Sequence, residues 1–211
     1  MSPKGRKASK LNMCGDGTGV FWSRVYLGCC IIPKYMQDTR NVVDKYKGKP
    51  MEEIVADLDR HGVSLEIAID NVERDFNMGT IVRSANAFGV RTIHIIGRRQ
   101  WNKRGAMMTD KYLHVVYHPT VEAFFEEIGQ KTVVAVDNVP GSIPLQQASL
   151  PSDVVLIFGA ESIGIRPELL DRADLIVAIE QFGSTRSLNV GVAGGIAMYE
   201  WVRRNHIAPT G

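Results

Sequence analysis

The sequence predicts an α/β fold, a mostly parallel sheet with helices on both faces. Two observations carry that expectation. From Leu65 onward, strand-length apolar runs alternate with helix-length segments through short links, the order expected of βαβ units. The last two runs, VVLIF (154–158) and LIVAI (175–179), each end in a loop rich in Gly and polar residues, GAESIG and EQFGSTRS. The second loop feeds a helix starting near Leu188. Loops of this kind at strand ends are where open α/β sheets bind ligands, whatever the ligand is.

Residues 1–40 show neither helical nor strand periodicity and read as an irregular extension, a candidate for disorder. Gly15, Gly17 and Gly19 lack a preceding strand and do not have dinucleotide-binding spacing, so they read as loop. The basic start and the apolar Val20–Ile32 stretch imitate a secretory signal, but Arg24 interrupts the run and no cleavage pattern follows; Met36 is an alternative start. Residues 41–63 form a helical segment. Pro50 opens a helix over Met51–Arg60, with Glu52 and Glu53 in its first turn, and Gly62 closes it. Ile54, Val55 and Leu58 give it an apolar face for docking on the main domain, 64–206.

That domain begins with a strand at Leu65–Asp70 and the polar loop NVERDFNMG. Asn77 is placed to cap a helix running to Phe88, with Gly89 as its stop. Strands follow at Arg91–Ile96 and Leu113–Tyr117, separated by the long loop Gly97–Asp110. Thr120 caps a helix to Ile128, closed by Gly129; Thr132–Asp137 is a strand, and a turn region leads to Leu150. In the final helix Gly191, Gly194 and Gly195 each cost roughly 1 kcal/mol relative to Ala. They are tolerable only where backbone must approach closely, in a tight interior contact or against a second subunit. Ser187, Asn189 and Glu200 bracket too short an apolar run for a membrane span.

Across 211 residues, 45% hydrophobic content supports a real core, and a net charge of +2 excludes a global basic field, so any nucleic-acid site is a local patch. Cys14, Cys29 and Cys30 have no zinc spacing and suggest no disulfide framework, which fits a reducing, cytoplasmic setting without metal. Arg98, Arg99, Lys103 and Arg104 surround Trp101, a set suited either to solvation or to RNA, whose phosphates take cations and whose bases stack on aromatics. Taken singly, Asn77 reads as a cap, Arg83 as a surface charge on the same face as Asn86, Glu161 as a carboxylate that holds a helix terminus, caps or orients a polar partner, and Ser187 as the cap of the last helix.

Three blocks in order change that reading: NVERDFNMGTIVRSANAFG, VLIFGAESIGI and SLNVGVAGGIAMYE. They resemble the three motifs of the SpoU (TrmH-type) RNA ribose methyltransferases of the SPOUT superfamily, over about Leu65–Arg203. The resemblance implies an α/β sheet whose C-terminal segment makes a deep trefoil knot, a homodimer, and S-adenosylmethionine held near the subunit interface. Knots are rare exceptions to ordinary topology, and one gives the glycine-rich helix a reason. By matching position, the resemblance assigns Asn77, Arg83, Glu161, Ser187 and Asn189 to catalysis, and Val136, Gly159, Ile179 and Leu188 to the cofactor. The implied reaction moves a methyl group to a ribose 2′-hydroxyl of tRNA or rRNA. Arg83 handles that hydroxyl as a base or clamps the adjacent phosphate; a guanidinium holds its proton, which favours the clamp. Arg186 adds a charge beside the site, suggesting phosphate contact. No RNA-binding domain is recognisable in the N-terminal region, which tilts the choice toward tRNA. Base-nitrogen methylation and non-catalytic RNA binding are the competing readings.

Overall fold

The computed structural model describes residues 38–71 and 77–207. The expectations for the GDGTG run, the cysteines, the signal-like stretch, Met36 and the middle of the NVERDFNMG loop lie outside the described residues. The polypeptide divides into two units, Met1–Arg40 and Asn41–Gly211, and the second carries the sheet. Its strands are β1 (Glu66–Asn71), β2 (Thr92–Gly97), β3 (His114–His118), β4 (Thr132–Val136), β5 (Ile143–Pro144), β6 (Val154–Phe158) and β7 (Leu175–Ala178). Its helices are α1 (Met51–His61), α2 (Met78–Ala87), α3 (Val121–Ile128), α4 (Pro167–Leu170) and α5 (Val190–Asn205).

All strand pairings are parallel, in the order β3-β2-β1-β6-β4-β7-β5. The central strands are apolar on both faces because helices cover both. Ile67, Ile69, Ile93, Ile95, Leu156 and Phe158 face one layer with Ile81 and Ala85 of α2 and Met198 and Trp201 of α5. The alternate residues, Ala68, Ile96, Val155 and Ile157, face Phe124 and Ile128 of α3 and Leu169 of α4. Asp70, on that second face, is buried and receives the Arg166 Nε–H at 2.9 Å. Outside the sheet, Tyr46, Ile54 and Tyr112 form a small cluster that seats α1, and the Tyr46 hydroxyl donates to Asp57 at 2.7 Å. Among the described residues no helix is long and apolar enough to cross a membrane.

The close contact demanded by the glycines of the last helix is with α2. A Cβ on Gly191 would lie 3.0 Å from the Thr80 side chain, and one on Gly194 would lie 3.3 Å from Ile81. The start of α2 is gripped from another side too. A Cβ on Gly79 would lie 2.6 Å from the Ala106 backbone nitrogen and 2.8 Å from the Gly105 Cα. The segment that makes this contact is not the open loop the sequence suggested. It holds two 3₁₀ turns, Arg104–Ala106 and Thr109–Tyr112, joined by Met107 and Met108 with φ of 48° and 64°.

Other expectations need correction. Strand and helix bounds shift by a residue or two, and β5 and α4 are too short to show a period. Gly62 ends α1 at φ −68°, outside the left-handed region; glycine is needed because a Cβ there would meet Arg91 Cγ at 2.3 Å. The last helix starts at Val190, and its cap is Asn189 rather than Ser187. Asn77 precedes α2 but makes no side-chain cap; its backbone is already helical, and its side chain points elsewhere.

Two histidines without ligand spacing pair with each other. His94 Nδ1 lies 2.8 Å from His118 Nε2, both rings are buried, and His94 Nε2 lies 3.0 Å from Glu66. Lys131 donates to the same Glu66 at 2.9 Å. Burial first, and then the neighbouring His94, push the His118 imidazole below its ordinary value. A depressed histidine costs stability in acid. The contribution is full above about pH 6.5, where the unfolded imidazole titrates, and is lost as pH falls toward the folded value. His118→Gln, which hydrogen-bonds without titrating, should flatten that limb of a stability-against-pH curve measured by denaturant titration.

The glycine contacts predict opposite signs for two similar changes. Gly79→Ala should destabilise by at least about 2 kcal/mol, because the obstruction is backbone. Gly195→Ala places its methyl 3.9 Å from Ser84 Oγ, an ordinary contact. It should stabilise by roughly 0.5–1 kcal/mol through better helix propensity. Thermal unfolding of the two variants checks both.

Candidate functional site

The carboxyl ends of β6, β4 and β7 lie side by side in the sheet, and the loops that leave them enclose a cavity of about 490 Å³. The start of α5 closes it. Asn189 shapes that start: its Oδ1 accepts the Gly191 and Val192 N–H groups at 3.0 and 3.3 Å. The amide's other end donates from Nδ2 to Asn77 Oδ1 at 2.8 Å and to Glu161 Oε1 at 3.4 Å. Asn77 Nδ2 in turn donates to Glu161 Oε2. Three side chains from the first turn region of α2, the loop after β6 and the cap of α5 thus share one junction.

The loop after β6 is tight. Its Ala160 and Gly164 exchange backbone hydrogen bonds at 3.1 and 2.8 Å, and a Cβ on Gly159 would lie 2.1 Å from the Gly164 carbonyl carbon. Asp137, one residue past β4, anchors the far side by accepting the Ile165 N–H at 2.8 Å. Gly164 has φ +71°, and a Cβ there would meet the same carboxylate at 2.6 Å, so glycine is required on both counts. After β7 the chain is held by Asn138, whose Nδ2 donates to the Arg186 carbonyl at 3.3 Å.

Val136, Gly159, Ile179 and Leu188, named from the sequence as cofactor contacts, all line the cavity, as do Glu161, Arg186 and Ser187. Asn77 and Asn189 stand at the junction beside it. Arg83 is exposed on α2 and does not line this chain's cavity. Arg98, Arg99, Lys103 and Arg104 lie beyond β2, on the same edge of the sheet but outside the cavity. All four are exposed; Lys103 pairs with Asp110 at 2.7 Å and sits 5.2 Å over Trp101, and Arg99 lies 5.8 Å over Tyr117. The sequence reading missed Asp137, Asn138 and Gln181, which also line the cavity. For Asp137 a signal existed, a carboxylate at the end of an apolar strand, and Gln181 lies in the EQFGSTRS loop already singled out; for Asn138 there was none. Among the described residues, no group of three or more His, Cys, Asp or Glu is placed to hold a metal ion.

The model of the SpoU rRNA Methylase family matches residues 64–199. The chain belongs to this family. Among curated SpoU-family relatives, it is 30% identical over 158 residues to the 23S rRNA (guanosine-2′-O-)-methyltransferase RlmB of Coxiella burnetii, covering 71% of this chain and 62% of that enzyme's length. With the tRNA (guanosine(18)-2′-O)-methyltransferase of Escherichia coli strain K12 it shares 26% identity over 156 residues, 72% of this chain and 68% of the relative. Solved structures agree in fold. The A. aeolicus TrmH/SpoU tRNA modifying enzyme superposes with a TM-score of 0.64 at 26% identity, over 73% of this chain and 83% of that one. The AdoMet-bound rRNA methyltransferase from Sinorhizobium meliloti gives 0.61 at 28% identity, over 67% and 56%.

In this SpoU-family chain Asn189 has two separable tasks, capping α5 and tethering the loop after β6. Asn189→Ala should cost about 1–2 kcal/mol by loss of the cap. Serine caps comparably but is too short to reach Glu161. Asn189→Ser should therefore recover most of the stability in thermal unfolding, while hydrogen exchange over residues 160–165 stays as fast as in the alanine variant.

Proposed function

We propose that the chain is a methyltransferase acting on a ribose 2′-hydroxyl of tRNA or rRNA, with S-adenosylmethionine as methyl donor. The observation that carries this reading is the junction of Asn77, Glu161 and Asn189 beside a cavity that also gathers Val136, Gly159, Ile179 and Leu188. The cavity's volume suits a small molecule. Its lining suits a nucleoside with a charged tail, with apolar Val136, Ile179 and Leu188 alongside polar Glu161 and Ser162. At Gly159 there is no room for even a Cβ. Bound there, S-adenosylmethionine supplies an electrophilic methyl on a sulfonium. The protein's task is then positioning: a ribose hydroxyl is a weak nucleophile and gains most from being held in line. Glu161 and Asn77 lock the loop after β6, Asn189 fixes the end of α5, and Ser187 offers a hydroxyl at the mouth.

Arg83 serves the neighbouring subunit's cavity in a homodimer. Three features support this assignment. Arg83 is exposed and lies outside its own chain's cavity. The helix packed beside it, α5, leaves Val192, Ile196 and Tyr199 exposed at helical spacing, a stripe suited to a second copy. The family resemblance also implies a dimer. In that setting the guanidinium clamps the phosphate adjoining the target ribose. Arg186 and Phe182, the latter 93% exposed, stand at the mouth for phosphate and base contact, and Arg98, Arg99 and Arg104 offer more distant phosphate contacts across the same sheet edge. On this reading residues 64–206 are the methyltransferase domain, with 41–63 docked on it. The segment leading into α5 threads the trefoil knot, which accords with the bare backbone at Gly191 and Gly194.

Mapping 2′-O-methyl groups in RNA from cells with and without the gene tests the activity and names the nucleotide; methylation found on a base instead would overturn it. Arg83→Ala should keep S-adenosylmethionine affinity by calorimetry and lose methyl transfer, and a wild-type rate would remove Arg83 from the mechanism. Mixing Arg83→Ala with Ala193→Leu, which enlarges a side chain lining the cavity, should restore about a quarter of wild-type activity, since half the dimers then hold one complete site.

A further inference from the structure

Among the described residues, one buried side-chain polar atom at the cavity has no hydrogen-bond partner. Gln181, two residues past Ile179 in the loop after β7, lines the cavity, and its Oε1 is closed off from solvent without a hydrogen bond. The surrounding polar groups contrast with it. Asp137 accepts a backbone N–H, Glu161 accepts from both asparagines, and Asn138 holds the Arg186 carbonyl. A buried amide oxygen left unpaired costs free energy in the ligand-free protein, and sites that retain such a group commonly pair it with ligand. The terminal torsion of glutamine is broad, so a modest turn about it brings the oxygen to the lumen.

The chemistry of the missing partner follows from its surroundings. It must be a hydrogen-bond donor, N–H or O–H, on a body that fits between apolar walls, because Ala178, Ile179 and Leu188 also line the cavity. The polar residues Glu161 and Ser162 belong to the loop after β6, and β4 lies between that loop and the one carrying Gln181. Ala178 and Ile179, just before Gln181 in the chain, offer apolar contact to a ring, and Glu161 across β4 offers a carboxylate to the cationic part of the tail, so the ring is assigned to the Gln181 side. Side-chain amides read adenine by accepting from its exocyclic amine while donating to a ring nitrogen.

We infer that Gln181 reads the exocyclic amine of the methyl donor's adenine and makes the cavity selective for adenosyl over other nucleosidyl ligands. The inference rests on the proposed reading of the cavity, and one titration series separates the two. Calorimetry with S-adenosylhomocysteine and with its 6-deamino counterpart, whose purine lacks the amine, should show about a tenfold preference for the first in the wild-type protein, because a partner left unpaired in the complex is penalised. Gln181→Met removes the acceptor at similar length and should bring the two affinities to within about twofold. Gln181→Glu keeps an acceptor and should retain the preference. Equal binding of both compounds by wild-type protein overturns the inference without needing any variant, as does a full preference surviving in Gln181→Met. Should that variant not fold by circular dichroism, Gln181→Ala takes its place. Binding of neither compound by the wild type overturns the reading of the cavity as well, whereas failure of the preference alone leaves that reading standing.

Discussion

The first turn of α2 is held between two backbones. Gly79 meets the peptide of Gly105 and Ala106 on one side, and Thr80 meets Gly191 on the other. The first contact leaves no space for a side chain and the second seats the Thr80 side chain on the bare backbone of Gly191, so this turn rests against main chain on both sides. The consequence reaches the site directly. Asn77 stands immediately before that turn and Asn189 immediately before Gly191's helix. Bringing the two backbones together therefore brings together two side chains 112 residues apart in sequence. Glu161 then closes the junction with hydrogen bonds that a charged acceptor makes stronger than neutral pairs would be.

The sheet's carboxyl edge is divided in two. Over β6, β4 and β7 the loops are tight, glycine-dependent and hydrogen-bonded to one another around a cavity. Over β2 and β3 the edge is basic and aromatic, with Arg99 beside Tyr117 and Lys103 beside Trp101. One half has the rigidity that a small ligand rewards; the other has the charge and ring faces that a nucleic acid uses. The junction of Asn77, Glu161 and Asn189 lies where the α2 entry joins the cavity side.

Preorganisation accounts for the distribution of polar contacts. Asp137, Glu161, Asn138 and Asn189 spend their hydrogen-bonding capacity on the protein itself, so they hold the loops in shape before any ligand arrives. Gln181 differs in having an oxygen left over. The opposite face of the sheet handles its buried polar groups by pairing them, His94 with His118 and Glu66, and Asp70 with Arg166.

The α/β class, the order of the main strands along the chain and the turn character of the two late loops that line the cavity were legible in the sequence, because period and turn chemistry are local properties. The resemblance of three blocks added the cavity residues Val136, Gly159, Ile179 and Leu188. Local reading misassigned Asn77 and Ser187 as caps and passed over Asn189, since a residue that can cap a helix looks the same whether it does so or not. Asn189 caps α5, Ser187 does not, and Asn77 turns instead to Glu161. The sequence by itself determined where strands, glycines and polar loops fall along the chain. Only the tertiary structure decided that α2 is the neighbour the glycines accommodate, that Asp137 and Gln181 belong to the cavity, and that Arg83 does not line its own. Those are facts about which distant backbones touch, and no local period encodes them.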